Sequence, residues 1–523
     1  MNCTVNKQFN IKLSYLFSGI FVIIIGGLAI LSIFMHCETS LHDYEQTKTI
    51  TRHTPYIYCA LAAFGICAFT VLCIVLERIF STVQNPERIS RGIFIGCGIV
   101  ILAAGLFWIF FNDCVPTSDQ RDVYAEARRI AGVLDGPFNN EYFSYFPRNR
   151  GITLFAAAAI KIFGDYLYSF RLVNITASLI AYFSICRTSR LVYDNPVVSA
   201  ITSFMLMLFY PLFIYDSYVY GTLLSVAFTS LGLYGTVSYC KTGKNKYIPL
   251  IIFSFPLGIL MHQSAAIGLI ASVIYLLMNG KGKTLLKNVL ISITAVIMVA
   301  LFMKGTYAVF DHITGTDPEQ SSVPVTCTVY MGLTAVKGAA GPGSQDGSYT
   351  EVFLENNCDG EAANRDALQR IAVVMKEYLT GERSLSFFLE KTKFQWLDPT
   401  FGARKIIKMN DPNMGDPLNS EAFVSFYKSS FRSYVFKLSI GGMLLVYVCA
   451  LITGVKTIRD IKAYPAAILI QLYVIGGFAF QLLWESLSRY CLGYFMWLIP
   501  EAAFGVYCVQ RFIICQKNKR KSS

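Results

Sequence analysis

The stretch IFIGCGIVILAAGLFWIFF (Ile93–Phe111), followed at once by NDCVPTSDQRDVYAEARR (Asn112–Arg129), decides the fold. The first part is apolar throughout and, at 1.5 Å per residue, nearly covers the ~30 Å of hydrocarbon in a bilayer. The second part turns polar immediately and carries Asp113, Asp119 and Asp122. A spanning helix therefore ends at Phe111 and delivers an acidic segment to a water-facing surface. In that segment Val123, Ala127, Ile130 and Leu134 recur at helical spacing. The pattern predicts an amphipathic helix lying on the membrane, with Asp119 at its start.

Working outward, the same kind of apolar run recurs along the chain. Its 523 residues are 54% hydrophobic and only 15% charged, against roughly 25% charged in an ordinary soluble domain, which excludes a water-soluble enzyme. Spans are expected at 13–35, 56–76, 93–111, 168–186, 197–215, 221–240, 247–260, 265–278, 289–303, 435–455, 465–483 and 491–512. These twelve define an all-α polytopic membrane protein. The first run is too long for the apolar part of a signal peptide and is expected to stay as an anchor. Residues 151–164 form a shorter apolar stretch, expected to be re-entrant or juxtamembrane, and 247–278 reads as two short crossings joined at His262-Gln263.

The net charge of +12 does not indicate nucleic acid, because the cations cluster between spans. Lys7 and Lys12, Arg78/Arg88/Arg91, Arg187/Arg190, Lys241/Lys244/Lys246, Lys281/Lys283/Lys287, Lys456/Arg459/Lys462 and the tail Lys517/Lys519/Arg520/Lys521 all fall on one side. By the positive-inside rule that side is the cytoplasm, with both termini there. Most of the 15 cysteines, such as Cys59, Cys73, Cys97, Cys186 and Cys449, lie within apolar runs and read as packing residues. With no CxxC pair and no His/Cys cluster of zinc spacing, neither a metal nor another cofactor is expected.

Two long segments lie on the other face, 112–150 and 305–434, and together they hold 22 of the 33 acidic residues. Chemistry is therefore expected outside the cytoplasm. The second segment is too long for a plain connection. It combines a Gly-rich stretch (Gly338, Gly341, Gly343, Gly347) with a helical pattern near 364–380, which predicts a small folded cap. Cys327 and Cys358 within it are either a disulfide or two free thiols. The domain reading is a two-span extension at 1–92, a transmembrane core at 93–304, the loop domain at 305–434, C-terminal helices at 435–512 and a basic tail at 513–523.

Candidate site residues follow from chemistry at the outer interface. Asp119 is either a general base for an acceptor hydroxyl or a helix cap. In EYFSYFPRNRGITLFAAAAIKIFG (Glu141–Gly164), Arg148 and Arg150 either grip a lipid phosphate in bidentate fashion or snorkel to bulk phospholipid. Tyr142, Tyr145 and Asn149 flank them. Trp484, Glu485, Arg489 and Tyr490 sit where the last two spans meet the outer face, and Glu485 with Arg489 is either an ion pair or part of a phosphate site. His262 at its hairpin tip either meets substrate or is structural. Trp396 with Asp398 is either a sugar-stacking pair or part of an interfacial aromatic belt.

A surface acid after an early span, then a Tyr-Pro-Asn-like turn and an apolar helix ending in Phe-Gly, resembles the GT-C membrane glycosyltransferases. Closest in pattern are bacterial members related to protein mannosyltransferases and lipid A aminoarabinose transferases. PLFIYDSYVYG (Pro211–Gly221), LGILMHQSAAIGLIA (Leu257–Ala271), VPVTCTVYMGL (Val323–Leu333), FFLEKTKFQWLDP (Phe387–Pro399) and WESLSRYCLGYFMWLIP (Trp484–Pro500) agree in order. The resemblance implies a GT-C-like fold with juxtamembrane helices in the first outer loop, a catalytic acid matching Asp119 with Asp122 and Asp113 as rivals, and an inverting reaction. It also implies a polyprenyl-phosphate sugar as donor, with an extracytoplasmic glycan, glycolipid or protein as acceptor. Tyr220, in the third outer motif, joins the expected substrate contacts. Arg148 stands where the family turn has Asn, and two extra spans precede the expected first one. The competing readings are an O-antigen ligase or polymerase and a transporter or flippase of lipid-linked saccharides. The missing repeat and the scarcity of mid-span charges speak against transport.

Overall fold

The computed structural model describes residues 10–42, 45–317, 321–336, 341–403 and 419–522; Lys7 and Gly338, named above, lie outside them. Among the described residues the protein is a helical polytopic bundle with one small β-hairpin. Eight of the expected spans are helices long and apolar enough to cross a bilayer, and a ninth is the pair Pro196–Leu208 and Pro211–Ser217, bent by 50°. The other three are shorter apolar helices: Asn245–Met261, Gln263–Met278 and Ala467–Leu483. The α-helical parts of the first two, Ile248–Met261 with 14 residues and Ala266–Met278 with 13, reach only ~20 Å. Their shared break at His262 lines a depression in the bundle.

Pairing among the helices is close. Thr222–Thr242 packs on Leu167–Tyr193 and on Ile248–Met261, and Ser430–Arg459 packs on the last helix and on Ile11–Phe34. Small residues permit this: the backbone at Gly505 lies directly against the Cys449 carbonyl, with no room for a Cβ. Helix ends away from the depression meet one another, as in Arg190 with Glu87 (2.5 Å), Lys287 with Asn245 (2.6 Å) and Asn10 N–H with the Met278 carbonyl (3.3 Å). Cation-bearing segments thus meet in pairs at these ends.

On the depression side, the interrupted helices leave backbone groups that lack helical partners, and polar side chains supply them. Arg171 donates to the carbonyls of Ile109 (3.2 Å), Asn112 (2.9 Å) and Cys114 (2.6 Å), closing the end of Pro86–Phe111. Asn174 donates to the carbonyls of Asp216 and Tyr218. Lys391, buried in the cap, donates to the carbonyls of Gly332 (2.5 Å), Leu482 (3.0 Å) and Trp484 (2.6 Å), tying the cap to the end of Ala467–Leu483.

Three smaller elements complete the picture. The surface helix Asp119–Ala131 buries Val123, Ala127 and Ile130 as its spacing requires, but Gly132 at φ 79° ends it before Leu134. Arg150–Phe163 is a 14-residue helix packed against it, with Gly151 against the Leu260 carbonyl. The linker between the first two spans, given no structure by the sequence reading, is an antiparallel hairpin pairing Met35–His42 with Glu45–Arg52. The β-branched Thr49, Ile50 and Thr51 suit its second strand, and Cys37 N–H bonds the Leu397 carbonyl at 2.8 Å. Cys327 and Cys358 are free thiols lying in one apolar cluster of the cap.

Gly505→Ala should push the last helix from its neighbour at a cost of about 1–3 kcal/mol. The expected result is a thermal midpoint several degrees lower in detergent, whereas Gly442→Ala, where a Cβ meets nothing, leaves it unchanged.

Candidate active site

Asp119 is the first residue of its helix rather than the cap. Ser118 precedes it at φ 53°, a left-handed conformation that is uncommon for a residue other than glycine and is concentrated at functional sites. The carboxylate faces a cavity of about 240 Å³. Three hydrogen bonds lead to it. Tyr220 hydroxyl donates to Asn149 Oδ1 at 2.8 Å, Asn149 Nδ2 donates to Tyr142 hydroxyl at 2.7 Å, and Tyr142 hydroxyl donates to Asp119 Oδ1 at 3.2 Å. Burial, reinforced by the Asp119 charge, pushes the Tyr142 phenol well above its ordinary range, so it stays a neutral donor. Residues expected as separate substrate contacts are thus linked into a chain ending on one carboxylate oxygen. Among the described residues Asp119 Oδ2 makes no hydrogen bond, and it remains for another partner.

The basic groups come from two different places. Arg148 lies in the 3₁₀ turn Pro147–Asn149, lines the cavity and stacks beside Phe146 at 5.4 Å. It makes no hydrogen bond or ion pair among the described residues. Arg489 starts the last helix, donates to Tyr218 hydroxyl at 3.0 Å and to Tyr490 hydroxyl at 3.3 Å, and keeps its Nε buried and unpartnered. Glu485 meets Arg489 only through Tyr490, whose hydroxyl donates to Glu485 Oε2 at 3.1 Å. His262 also lines the cavity, with Nδ1 2.8 Å from Ser264 hydroxyl and its ring 5.2 Å from that of Tyr490. Burial, then the charges of Arg489 and Arg148, push its imidazole down to about 3.

Four expected site residues lie elsewhere. Asp122 is one turn along the surface helix and does not line the cavity; burial raises its carboxyl despite Arg121. Tyr145 packs its ring on Phe353 in the cap, and its hydroxyl approaches Cys358 Sγ at 3.9 Å. Arg150 is committed to Asp311 at 2.9 Å and to the Phe143 carbonyl at 3.1 Å. Trp396 is 1% exposed, wedged between Phe478 and Tyr494, and so is neither a sugar platform nor part of an aromatic belt. Its neighbour Asp398 is buried in a bonded group with Thr400, Ser488 and Lys48. Burial would raise that carboxyl, but the Lys48 ammonium and hydrogen bonds from Thr400 and Ser488 hold it below the usual range.

The cavity also takes in residues the sequence reading passed over: Lys48 from the hairpin, Tyr218, and Gln345 and Tyr349 from the cap. Tyr218 lies in a motif that had been singled out, so its outward neighbours were the available signal. Lys48 had none, being one cation in an unassigned linker.

Residues 151–307 match the model of the family described as dolichyl-phosphate-mannose-protein mannosyltransferase. With the all-helical polytopic fold, this match supports a GT-C superfamily glycosyltransferase, an enzyme of the membrane. It takes in Tyr218, Tyr220 and His262 on one wall of the cavity; Asp119, Arg148 and Arg489 lie outside it. No curated protein matches the chain.

Two predictions separate the arginines and test the histidine. Arg150→Met strands the Asp311 carboxylate and should cost about 3 kcal/mol or more, while Arg148→Met leaves the thermal midpoint nearly unchanged. For His262 the folded imidazole sits near 3 and the unfolded one near 6.5. The unfolded chain therefore takes up a proton that the folded chain excludes, and stability is lost as pH falls below ~6.5. Thermal midpoints measured from pH 7 to 4.5 should fall less steeply for His262→Gln than for wild type.

Proposed function

We propose that the protein moves a sugar from a polyprenyl-phosphate donor to the hydroxyl of an extracytoplasmic acceptor, a cell-envelope glycan, glycolipid or protein, at a bacterial plasma membrane. The observation that carries this reading is the meeting, in one cavity at the membrane surface, of a tethered carboxylate and two arginines with unused donors. Asp119 is the general base. Its Oδ1 is held by Tyr142 and its Oδ2 accepts the proton of the acceptor hydroxyl as that oxygen attacks the anomeric carbon. The bond from the anomeric carbon to phosphate oxygen breaks, and the configuration inverts. The departing lipid phosphate gains negative charge, which Arg148 and Arg489 meet with fixed donors.

Division of labour follows from position. Tyr142, Asn149 and Tyr220 orient the base, so that little rearrangement is needed when the proton moves. His262, neutral near pH 7, and Tyr490 offer hydrogen bonds to sugar or acceptor, and Glu485 holds Tyr490 in place. Charge on the leaving phosphate is met by guanidinium groups, so the reaction as drawn needs no metal. Clustered cations on the opposite face support a cytoplasmic location for both termini.

The test is release of undecaprenyl phosphate by purified protein supplied with a panel of undecaprenyl-phosphate sugars. At least one donor should be consumed, and Asp119→Asn should lower kcat by about 10²–10⁴-fold with the donor still bound. Arg148→Met should chiefly weaken donor binding. Consumption of no monophosphate donor, or an unaffected Asp119→Asn, would overturn the reading.

A further inference from the structure

The hairpin that carries Lys48 and the two helices that flank it lie outside the residues matching the family model, yet the Lys48 side chain reaches the cavity wall. Its Nζ donates to Ser488 Oγ at 2.6 Å and lies 3.2 Å from Asp398 Oδ2, with the two side chains 10% and 1% exposed. Ser488 Oγ in turn donates to the same Asp398 oxygen at 2.7 Å. Asp398 is pinned from its own loop by Thr400 N–H and hydroxyl and by Gly402 N–H. Among the described residues Lys48 is the only cation in contact with it. The hairpin is docked beside that loop by the bond from Cys37 N–H to the Leu397 carbonyl.

Ser488 opens the 3₁₀ turn Ser488–Cys491, and the next residue is Arg489. A buried carboxylate without a cation attracts the nearest guanidinium. Arg489 is placed to respond: it is one residue along from a serine already bonded to Asp398, and its Cβ lies close to Gly402, whose N–H bonds the same carboxylate. Lys48 occupies the position from which Asp398 would otherwise draw Arg489 off the cavity.

We infer that Lys48 is a positioning residue: acting through Asp398 and Ser488, it holds the Ser488–Arg489 turn so that Arg489 faces the lipid phosphate. The inference deepens the proposed glycosyl transfer and rests on it for the identity of the phosphate. It gives the two N-terminal helices a part in the site, as the carriers of the hairpin that delivers this ammonium.

The experiment uses the full-length protein as wild type, Lys48→Met, Lys48→Arg and the double variant Lys48→Met/Asp398→Asn. It measures KM and kcat for a consumed undecaprenyl-phosphate sugar, together with amide hydrogen exchange across 484–491. Lys48→Met should raise KM about tenfold with a much smaller change in kcat, and should speed exchange at the Ser488–Cys491 turn. Lys48→Arg should restore both. The double variant should also recover KM, because no carboxylate remains to draw Arg489 away. Unchanged KM and exchange in Lys48→Met, or a lower thermal midpoint with KM unmoved, would overturn the inference. So would a double variant no better than the single one. If wild type consumes no lipid-phosphate sugar, the transfer reading fails, and the exchange pattern across the four proteins still decides whether Lys48 holds the turn.

Discussion

An interrupted helix in an apolar medium leaves carbonyls and N–H groups that must find partners inside the protein, and this constraint organises the molecule. Breaks follow Phe111, Ser217, Met261 and Leu483, and residues just past each of them line one cavity. Each is closed by a polar side chain from another element: Arg171 beneath the first, Asn174 beneath the second, Ser225 on the His262 carbonyl, Lys391 on the last. A concentration of polar groups at that depth follows from the backbone alone. The cavity is the space these groups surround.

The chemistry draws on what the breaks leave over. Asp119 and Arg148 belong to surface segments laid over the depression, Tyr220 and His262 to breaks in its wall, and Arg489 to the first turn of the last helix. Carboxylate and guanidinium groups therefore come from different segments and do not neutralise each other by direct contact; Glu485 and Arg489 are separated by Tyr490. An arginine already paired, as Arg150 is with Asp311, has little to offer a phosphate. The proposed role of Arg148 rests on that contrast between near neighbours.

Much of the bundle is legible in the sequence because crossing a bilayer leaves a local mark, about twenty apolar residues between charges. Even the two short apolar helices around His262 can be read from run length. The surface helix is legible from the spacing of Val123, Ala127 and Ile130, although its end depends on Gly132. Contacts between distant segments are not legible in this way. Arg150 and Asp311 are 161 positions apart and Lys48 and Asp398 are 350 apart, so no window of sequence holds both partners. Trp396 is misread for the same reason: its burial is set by Phe478 and Tyr494, which arrive from the C-terminal helices. Of the candidate site, the residue types and the face were readable. The bonded order from Tyr220 through Asn149 and Tyr142 to Asp119 was not.

The central claim is that one cavity holds a lipid phosphate between Arg148 and Arg489 with the Asp119 carboxylate left open beside it. The most direct measurement is an experimental structure of the full-length protein in nanodiscs with undecaprenyl phosphate bound. The account predicts the phosphate within hydrogen-bonding reach of both guanidinium groups, its tail leading into the bilayer, and Asp119 still bonded to Tyr142. A phosphate bound elsewhere, or Asp119 turned away and paired with Arg148, would contradict it.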